Sequence, residues 1–361
     1  MTAFVTAAFR TAVCPRGGGH GGRALHELVA PLVAPLLAAG GIAPDQVDEL
    51  ILSNALGAGG NPARVAALAA SLPERVAGLS LDRQCVGGLD AIALAAALVD
   101  AGRARAVIAG GVESFSRRPL RFAPGDTGPP VPYDAPPFTP WPDRDPGMAE
   151  AAGRLARRLG IGAADQAAYA VASHARARAA DLSAEVVALP GAAADSFARD
   201  LRLATALRAP CDAHGISAAT AAVQADGAAL VLVTDADLAA RAARALRIGP
   251  AVTLGAAPED PGLAPLPAIA AVLDRAGLTA DELAQIELME AYAAQAIATI
   301  RLARLPAARV NPRGGALARG HPIGASGTIL AVRLFHDLTA GPGLAAIAGA
   351  GGLGAALILG A

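Results

Sequence analysis

The sequence contains no lysine, so all 30 of its basic residues are arginine. We read this as a mark of genomic base composition rather than of function. Aromatic residues are scarce as well, at 3%, although 54% of the chain is hydrophobic and 41 residues are glycine. Much of the apolar content is alanine, which predicts packing through small residues and close helix–sheet contact rather than through large rings. Only three cysteines occur, at 14, 85 and 211. They form no CxxC metal pattern, and their odd number argues against a disulfide framework, so we expect a reducing, cytoplasmic setting and no bound metal. No apolar run reaches bilayer-spanning length without Gly, Pro or a charge, and no charged leader precedes an apolar segment at the N-terminus. Neither a membrane span nor a signal peptide is therefore expected. The net charge of −1 gives no electrostatic reason to expect nucleic acid or an anionic membrane as partner.

What is present is length for about two domains and a regular alternation of patterns. Ala3 to Ala8, Val47 to Ser53, Ala104 to Ala109 and Ala228 to Thr234 read as strands. Leu25 to Ala39 has helical spacing, interrupted by Pro31 and Pro35. Asn61-Pro62 opens a second helix, and a third runs to about Asp100. Gly110-Gly111 is expected to end the strand before it. This alternation predicts a mostly parallel α/β sheet. Between Pro119 and Pro146 the chain is dense in Pro and Gly and is expected to wrap over the surface as neither strand nor helix. Helices are predicted over Met148–Leu159 and Ala163–Ala180, with a shorter helical piece within Asp195–Pro210.

The stretch Leu79-Ser80-Leu81-Asp82-Arg83-Gln84-Cys85-Val86-Gly87-Gly88 places a cysteine between a short strand and a long Ala/Leu helix. At a helix N-terminus, unpaired N–H groups and the helix dipole favour a thiolate. Gly87 and Gly88 leave room for a carbonyl to approach the sulfur. Taken alone the motif allows either an activated nucleophile or a buried structural thiol.

The second half repeats the first. Ile92 to Gly111 and Gly327 to Gly352 share one order: helix, short stop, strand, glycines. A duplication would bring the two pre-helix loops side by side about a pseudo-twofold axis. The loop matching the Cys85 turn is Asn311-Pro312-Arg313-Gly314-Gly315-Ala316-Leu317-Ala318-Arg319-Gly320-His321-Pro322-Ile323-Gly324-Ala325-Ser326-Gly327. A lone loop histidine is ordinarily a solvated or satisfied side chain. Facing Cys85 across the junction, His321 would complete a nucleophile–base pair.

At these residues the chain resembles the thiolases, the family of acetyl-CoA acetyltransferases and 3-ketoacyl-CoA thiolases. Arg10-Thr11, Asn61-Pro62-Ala63-Arg64, Arg83-Gln84-Cys85, Gly110-Gly111-Val112-Glu113-Ser114 and the His321 loop carry the likeness over nearly the whole chain. The resemblance implies an α/β fold of two duplicated βαβαβαββ halves forming a five-layered αβαβα core with an inserted loop domain. The divisions expected are 1–114 plus 214–245 for the first half, 115–213 for the insertion and 246–361 for the second half. It also implies that Cys85 attacks an acyl-CoA after His321 takes its proton, with the backbone N–H groups of Cys85 and Ala350 as an oxyanion hole. Arg208 and Glu290 would contact the substrate. Coenzyme A would be met as substrate rather than as a bound cofactor, and the chain would form a homodimer or homotetramer.

Three departures bear on the reaction. Ala348 stands where the family carries a second cysteine, the acid/base that moves the α-proton; loss of such a group costs about 10²- to 10⁴-fold. The Asn-Glu-Ala-Phe motif reads Met289-Glu290-Ala291-Tyr292, so neither the asparagine nor the alternative cysteine of a related subgroup is present. The segment Ala218 to Ala225 lacks a serine that touches the pantetheine arm. Neither Cys14 nor Cys211 matches the missing position, and both are expected to be structural. Three functions follow as expectations: an acetyl-CoA C-acyltransferase-like enzyme acylated on Cys85, with classical thiolysis and condensation in doubt; a decarboxylating condensing enzyme of ketoacyl-synthase character; or a non-catalytic acyl-CoA-binding or scaffold subunit.

Overall fold

A computed structural model describes residues 2–57, 59–125 and 128–360. Among the described residues the main sheet has eleven strands, two of them the two-residue pieces Cys14–Pro15 and Val186–Val187, and nine form its continuous path: β1 (Phe4–Thr11), β2 (Glu49–Ser53), β3 (Leu79–Leu81), β4 (Ala106–Glu113), β5 (Ala225–Thr234), β6 (Leu246–Gly255), β7 (Gln285–Leu288), β8 (Pro342–Gly349) and β9 (Leu353–Gly360). Eight helices pack with them: α1 (Leu25–Gly40), α2 (Pro62–Ala69), α3 (Gly87–Asp100), α4 (Met148–Arg158), α5 (Ala163–Ala179), α6 (Pro265–Ala276), α7 (Ala293–Leu302) and α8 (Ile323–Asp337).

The strand order is β7-β8-β9-β6-β1-β5-β4-β2-β3. Its two halves are the same arrangement used twice. In the first half β3-β2-β4-β5-β1 run from edge to centre; in the second, β7-β8-β9-β6 do, and Val310 bridges Ile286 of β7 where β3 would lie. The halves meet where β1 pairs β6 at Phe4–Arg247 and Val5–Leu246.

Side-chain alternation along the strands sorts the core into layers. In β5, Leu230 and Leu232 face α1 and α2, while Val231 and Val233 face the interior. In β8, Ala345 and Ile347 join that same interior, while Leu344 and Ala346 pack outward with Ile269 and Val272 of α6. The interior layer is α3 and α8, through Leu89, Ile92, Ile329 and Val332. The result is helix, sheet, helix, sheet, helix.

Several expectations need correction. The sheet is mixed rather than mostly parallel: β5 runs antiparallel to both β1 and β4, and β9 to both β6 and β8. The β8–β9 connection is a hairpin turned by Gly351 and Gly352, both with φ near +75°, so no crossover intervenes. Helix α1 continues through Pro31 and Pro35. The carbonyls these prolines leave without a donor belong to Glu27 and Pro31, both on the exposed side, where water can satisfy them. Strand β4 runs past Gly110-Gly111 to Glu113. The Pro-rich stretch contains a small hairpin, Arg121–Ala123 with Val131–Tyr133. The helical piece after Asp195 is confined to Leu203–Leu207.

Candidate active site

Strand β3 delivers the chain to a 3-10 turn, Gln84–Val86, that passes directly into α3. Gln84 takes φ +51°, a left-handed conformation uncommon for a residue with a side chain. Asp82 holds it there, its Oδ1 accepting from the Gln84 N–H at 2.8 Å. The turn aims Cys85 across the seam between the halves. From the other side comes His321, whose N–H donates to the Val223 carbonyl at 2.8 Å before α8 begins.

The two helices must cross closely for these loops to meet. A Cβ on Gly88 would fall 2.7 Å from the Thr328 nitrogen, and one on Gly327 2.7 Å from the Leu89 nitrogen. Only hydrogen fits at either point. With the helices so close, His321 Nε2 lies 3.3 Å from Cys85 Sγ.

The remaining hydrogen bonds assign the tautomer. Ser326 Oγ donates to the Pro322 carbonyl at 3.0 Å, so the same oxygen accepts the proton on His321 Nδ1, 2.6 Å away. Nε2 therefore turns a lone pair toward the thiol. Burial pushes the Cys85 thiol up to about 12, although the N–H groups of Ala350 and Cys85 itself face the sulfur and pull the other way. Burial, and then the charge of Arg319, push His321 down to about 4. The shifts run against the expected thiolate: desolvation outweighs the N–H groups that face the sulfur and favours a neutral thiol beside a neutral imidazole.

The pair opens into a cavity of about 790 Å³ including its mouth. Phe138, Met148, Ala222, Pro261, Ile323 and Ala348 form much of its wall. No charged side chain lines it among the described residues, nor does any group of three His, Cys, Asp or Glu there have the placement to hold a metal.

Other residues singled out in the sequence lie elsewhere. Glu290 is fully buried and outside the cavity wall. It accepts from Ser173 Oγ at 2.7 Å, Asn311 Nδ2 at 2.6 Å, Tyr169 Oη at 3.1 Å and the Leu317 N–H at 3.2 Å. The expected substrate contact is corrected to a tie between α5 and the His321 loop. Arg208, just past the short helix Leu203–Leu207, is exposed and outside the cavity wall. Cys14 is buried, but Cys211 is exposed, its sulfur making one long hydrogen bond of 3.7 Å to the Ala209 carbonyl. That exposure does not fit the structural role expected of it. Met289 is buried in the interior layer, whereas Ala291 and Ala348 face the cavity.

Two family models, described as the thiolase N-terminal domain and the thiolase C-terminal domain, match residues 3–237 and 243–361. The chain belongs to the thiolase family. Its fold agrees: the acetyl-CoA acetyltransferase of Bacillus anthracis superposes with a TM-score of 0.92 at 28% identity, covering 99% of this chain and 98% of that one. The Acat5 thiolase of Ascaris suum, solved in complex with coenzyme A, gives 0.93 at 26% identity over the full length of both. Among curated relatives, Bacillus subtilis "Putative acetyl-CoA C-acetyltransferase YhfS" is 39% identical over 87% of each chain. Staphylococcus aureus "Putative acetyl-CoA C-acetyltransferase VraB" is 32% identical over 99% of this chain and 98% of its own.

Two residues of this thiolase-family site escaped sequence reasoning. Ser326 stood in a matched motif without a role; its signal was a hydroxyl in the first turn of a helix otherwise opened by small apolar residues. Tyr292 lines the cavity, and its hydroxyl was visible only as a departure from a phenylalanine.

Proposed function

We propose that the chain is an acyl-CoA acyltransferase of thiolase type that carries the acyl group on Cys85. The observation behind this is the 3.3 Å approach of His321 Nε2 to Cys85 Sγ at the wall of an apolar cavity. As the sulfur attacks the thioester carbon, its proton passes to Nε2, and Nδ1–H keeps its bond to Ser326. Charge develops on the thioester oxygen, where the Ala350 and Cys85 N–H groups, already facing the sulfur, would receive it. His321 then returns its proton to the departing coenzyme A thiolate, leaving a neutral acyl-enzyme. The apolar wall suits an unsubstituted aliphatic acyl group, and exposed Arg208 is the residue we assign to the nucleotide end of the carrier.

Intact-mass spectrometry with acetyl-CoA and medium-chain acyl-CoAs tests this. The protein should gain one acyl mass, and C85S should gain none as thioester; a wild type that takes up no acyl group overturns the reading.

A second reading concerns the later step. Ala291 and Ala348 line the cavity, and neither can move a proton. A condensation that obtains its carbanion by losing carbon dioxide from a malonyl thioester needs no such base. Product from malonyl-CoA, with none from acetyl-CoA alone, would select it.

The division into a first half (1–114 and 214–245), an insertion (115–213) and a second half (246–361) belongs to the same proposal, as do a cytoplasmic setting and a homodimer or homotetramer. Among the described residues no helix is long and apolar enough to cross a membrane. Edge strand β3 pairs on one side only, beside the exposed Val65, Leu68 and Leu79, which favours self-association there.

A further inference from the structure

Five side chains at the cavity wall carry polar groups: Gln84, Cys85, Tyr292, Gln295 and His321. Four are engaged by the protein. Gln84 Nε2 donates to the Asp82 carboxylate at 3.2 Å. Gln295 accepts from the Ala291 N–H and donates to Thr299 Oγ1, each at 3.3 Å. Cys85 and His321 engage each other. The Tyr292 hydroxyl alone has no protein partner among the described residues, although most of the residue is out of solvent.

Its backbone is fixed more firmly than a loop position requires. Tyr292 is the N-cap of α7 and bridges Ala221. The neighbouring Ala222 N–H donates to the Ala291 carbonyl at 2.9 Å, and the Ala293 N–H to the Thr220 carbonyl at 2.9 Å. A phenol held on a rigid frame at the wall of an apolar chamber, its hydroxyl not taken up by the protein, is free to donate to a ligand. It is also close enough to Cys85 to feel the charge of a thiolate there.

We propose that Tyr292 Oη binds the carbonyl oxygen of the second acyl thioester, the one that meets the acyl-enzyme on Cys85. This deepens the acyl-transfer reading and rests on it. With Ala348, Ala291 and Met289 offering no hydrogen bond, Tyr292 is the side chain left to steady negative charge on that oxygen when its carbon becomes the nucleophile. The donor stays protonated throughout the physiological range, because burial pushes the phenol up to about 12. The role is independent of how the carbanion arises, by proton removal or by decarboxylation.

The test uses the C85A protein, which cannot be acylated, with and without Y292F. Acetoacetyl-CoA labelled with carbon-13 at either carbonyl is bound, and the infrared stretch and Kd are read. With Tyr292 in place, one carbonyl stretch should lie lower than in the Y292F protein, and Y292F should weaken binding about tenfold, the loss of one neutral hydrogen bond. Identical stretches and affinities in the two proteins would overturn the role of Tyr292. Because the hydroxyl makes no hydrogen bond to the described protein, Y292F should leave Tm nearly unchanged; a clear fall would contradict the free hydroxyl. In the otherwise wild-type protein, Y292F should lose about 10²- to 10³-fold in carbon–carbon bond formation or cleavage, well beyond any loss in the rate of Cys85 acylation; equal losses in the two steps would overturn the role. A wild type that never takes up an acyl group would instead sink the acyl-transfer reading itself.

Discussion

His321 Nδ1 sits 2.6 Å from Ser326 Oγ, and that hydroxyl is itself spent on the Pro322 carbonyl at 3.0 Å. One serine thus decides which imidazole nitrogen faces Cys85. S326A should leave the ring free to take the other tautomer, with a proton on Nε2 directed at the thiol. Single-turnover acylation should slow by about 10- to 100-fold, a share of the effect of general-base catalysis, with little change in acyl-CoA affinity. A purely structural serine would lower Tm without altering the ratio of rate to affinity.

The neutral state of the pair can be seen directly. The Cys85 thiol is raised to about 12 and His321 is lowered to about 4, both chiefly by burial. Between those values neither group carries charge. The ultraviolet absorbance of a thiolate near 240 nm, taken as wild type minus C85S, should therefore stay flat from pH 6 to 9. A step below pH 7 would reveal an ion pair at rest. The sign for stability follows from the same shifts. As pH falls from about 6.5 toward 4, the unfolded chain binds a proton on His321 before the folded one does, so stability drops over that window. H321N should flatten that part of the stability profile.

Ala348 lies in β8 opposite Gly354 and faces the cavity. A cysteine there adds only a sulfur, which the open chamber can hold. If the missing group limits the carbon–carbon step, A348C should raise thiolysis of acetoacetyl-CoA by at least about tenfold, part of the usual worth of a general acid/base. Acylation of Cys85 should not change. An unchanged thiolysis rate would show that another deficit, such as Met289, sets the limit.

The duplication was legible because both halves use the same order of helix, stop, strand and glycines, and burial then forces equivalent faces together. Cys85 and His321 could be paired from that symmetry alone. The ionisation of Cys85 could not, since a motif shows the helix N-terminus but not how thoroughly the surrounding apolar residues exclude water. Glu290 was misplaced for a related reason. The resemblance implied a substrate contact there, but Ser173, Tyr169 and Asn311, brought in from elsewhere in the sequence, occupy the carboxylate. The mixed sheet was missed because strand direction depends on the Gly351-Gly352 hairpin and on the path of the insertion, neither of which leaves a periodic trace.

The crossing of α3 and α8 links the fold to the chemistry most directly. At Gly327 a methyl group would meet the Leu89 nitrogen at 2.7 Å and the Gly88 backbone just beyond. Backbone cannot swing aside as a flexible side chain can, so G327A must push the helices apart. Overpacking of this kind costs about 1–3 kcal/mol, which chemical denaturation would measure. The helices also carry the two reacting loops, and proton transfer across a hydrogen bond tolerates little added distance. G327A should therefore lose acylation rate well beyond what its folded fraction explains, by about 10- to 100-fold on the same principle of misplacement. A variant that is destabilised yet acylates normally once folded would show that the seam can give without separating Cys85 from His321.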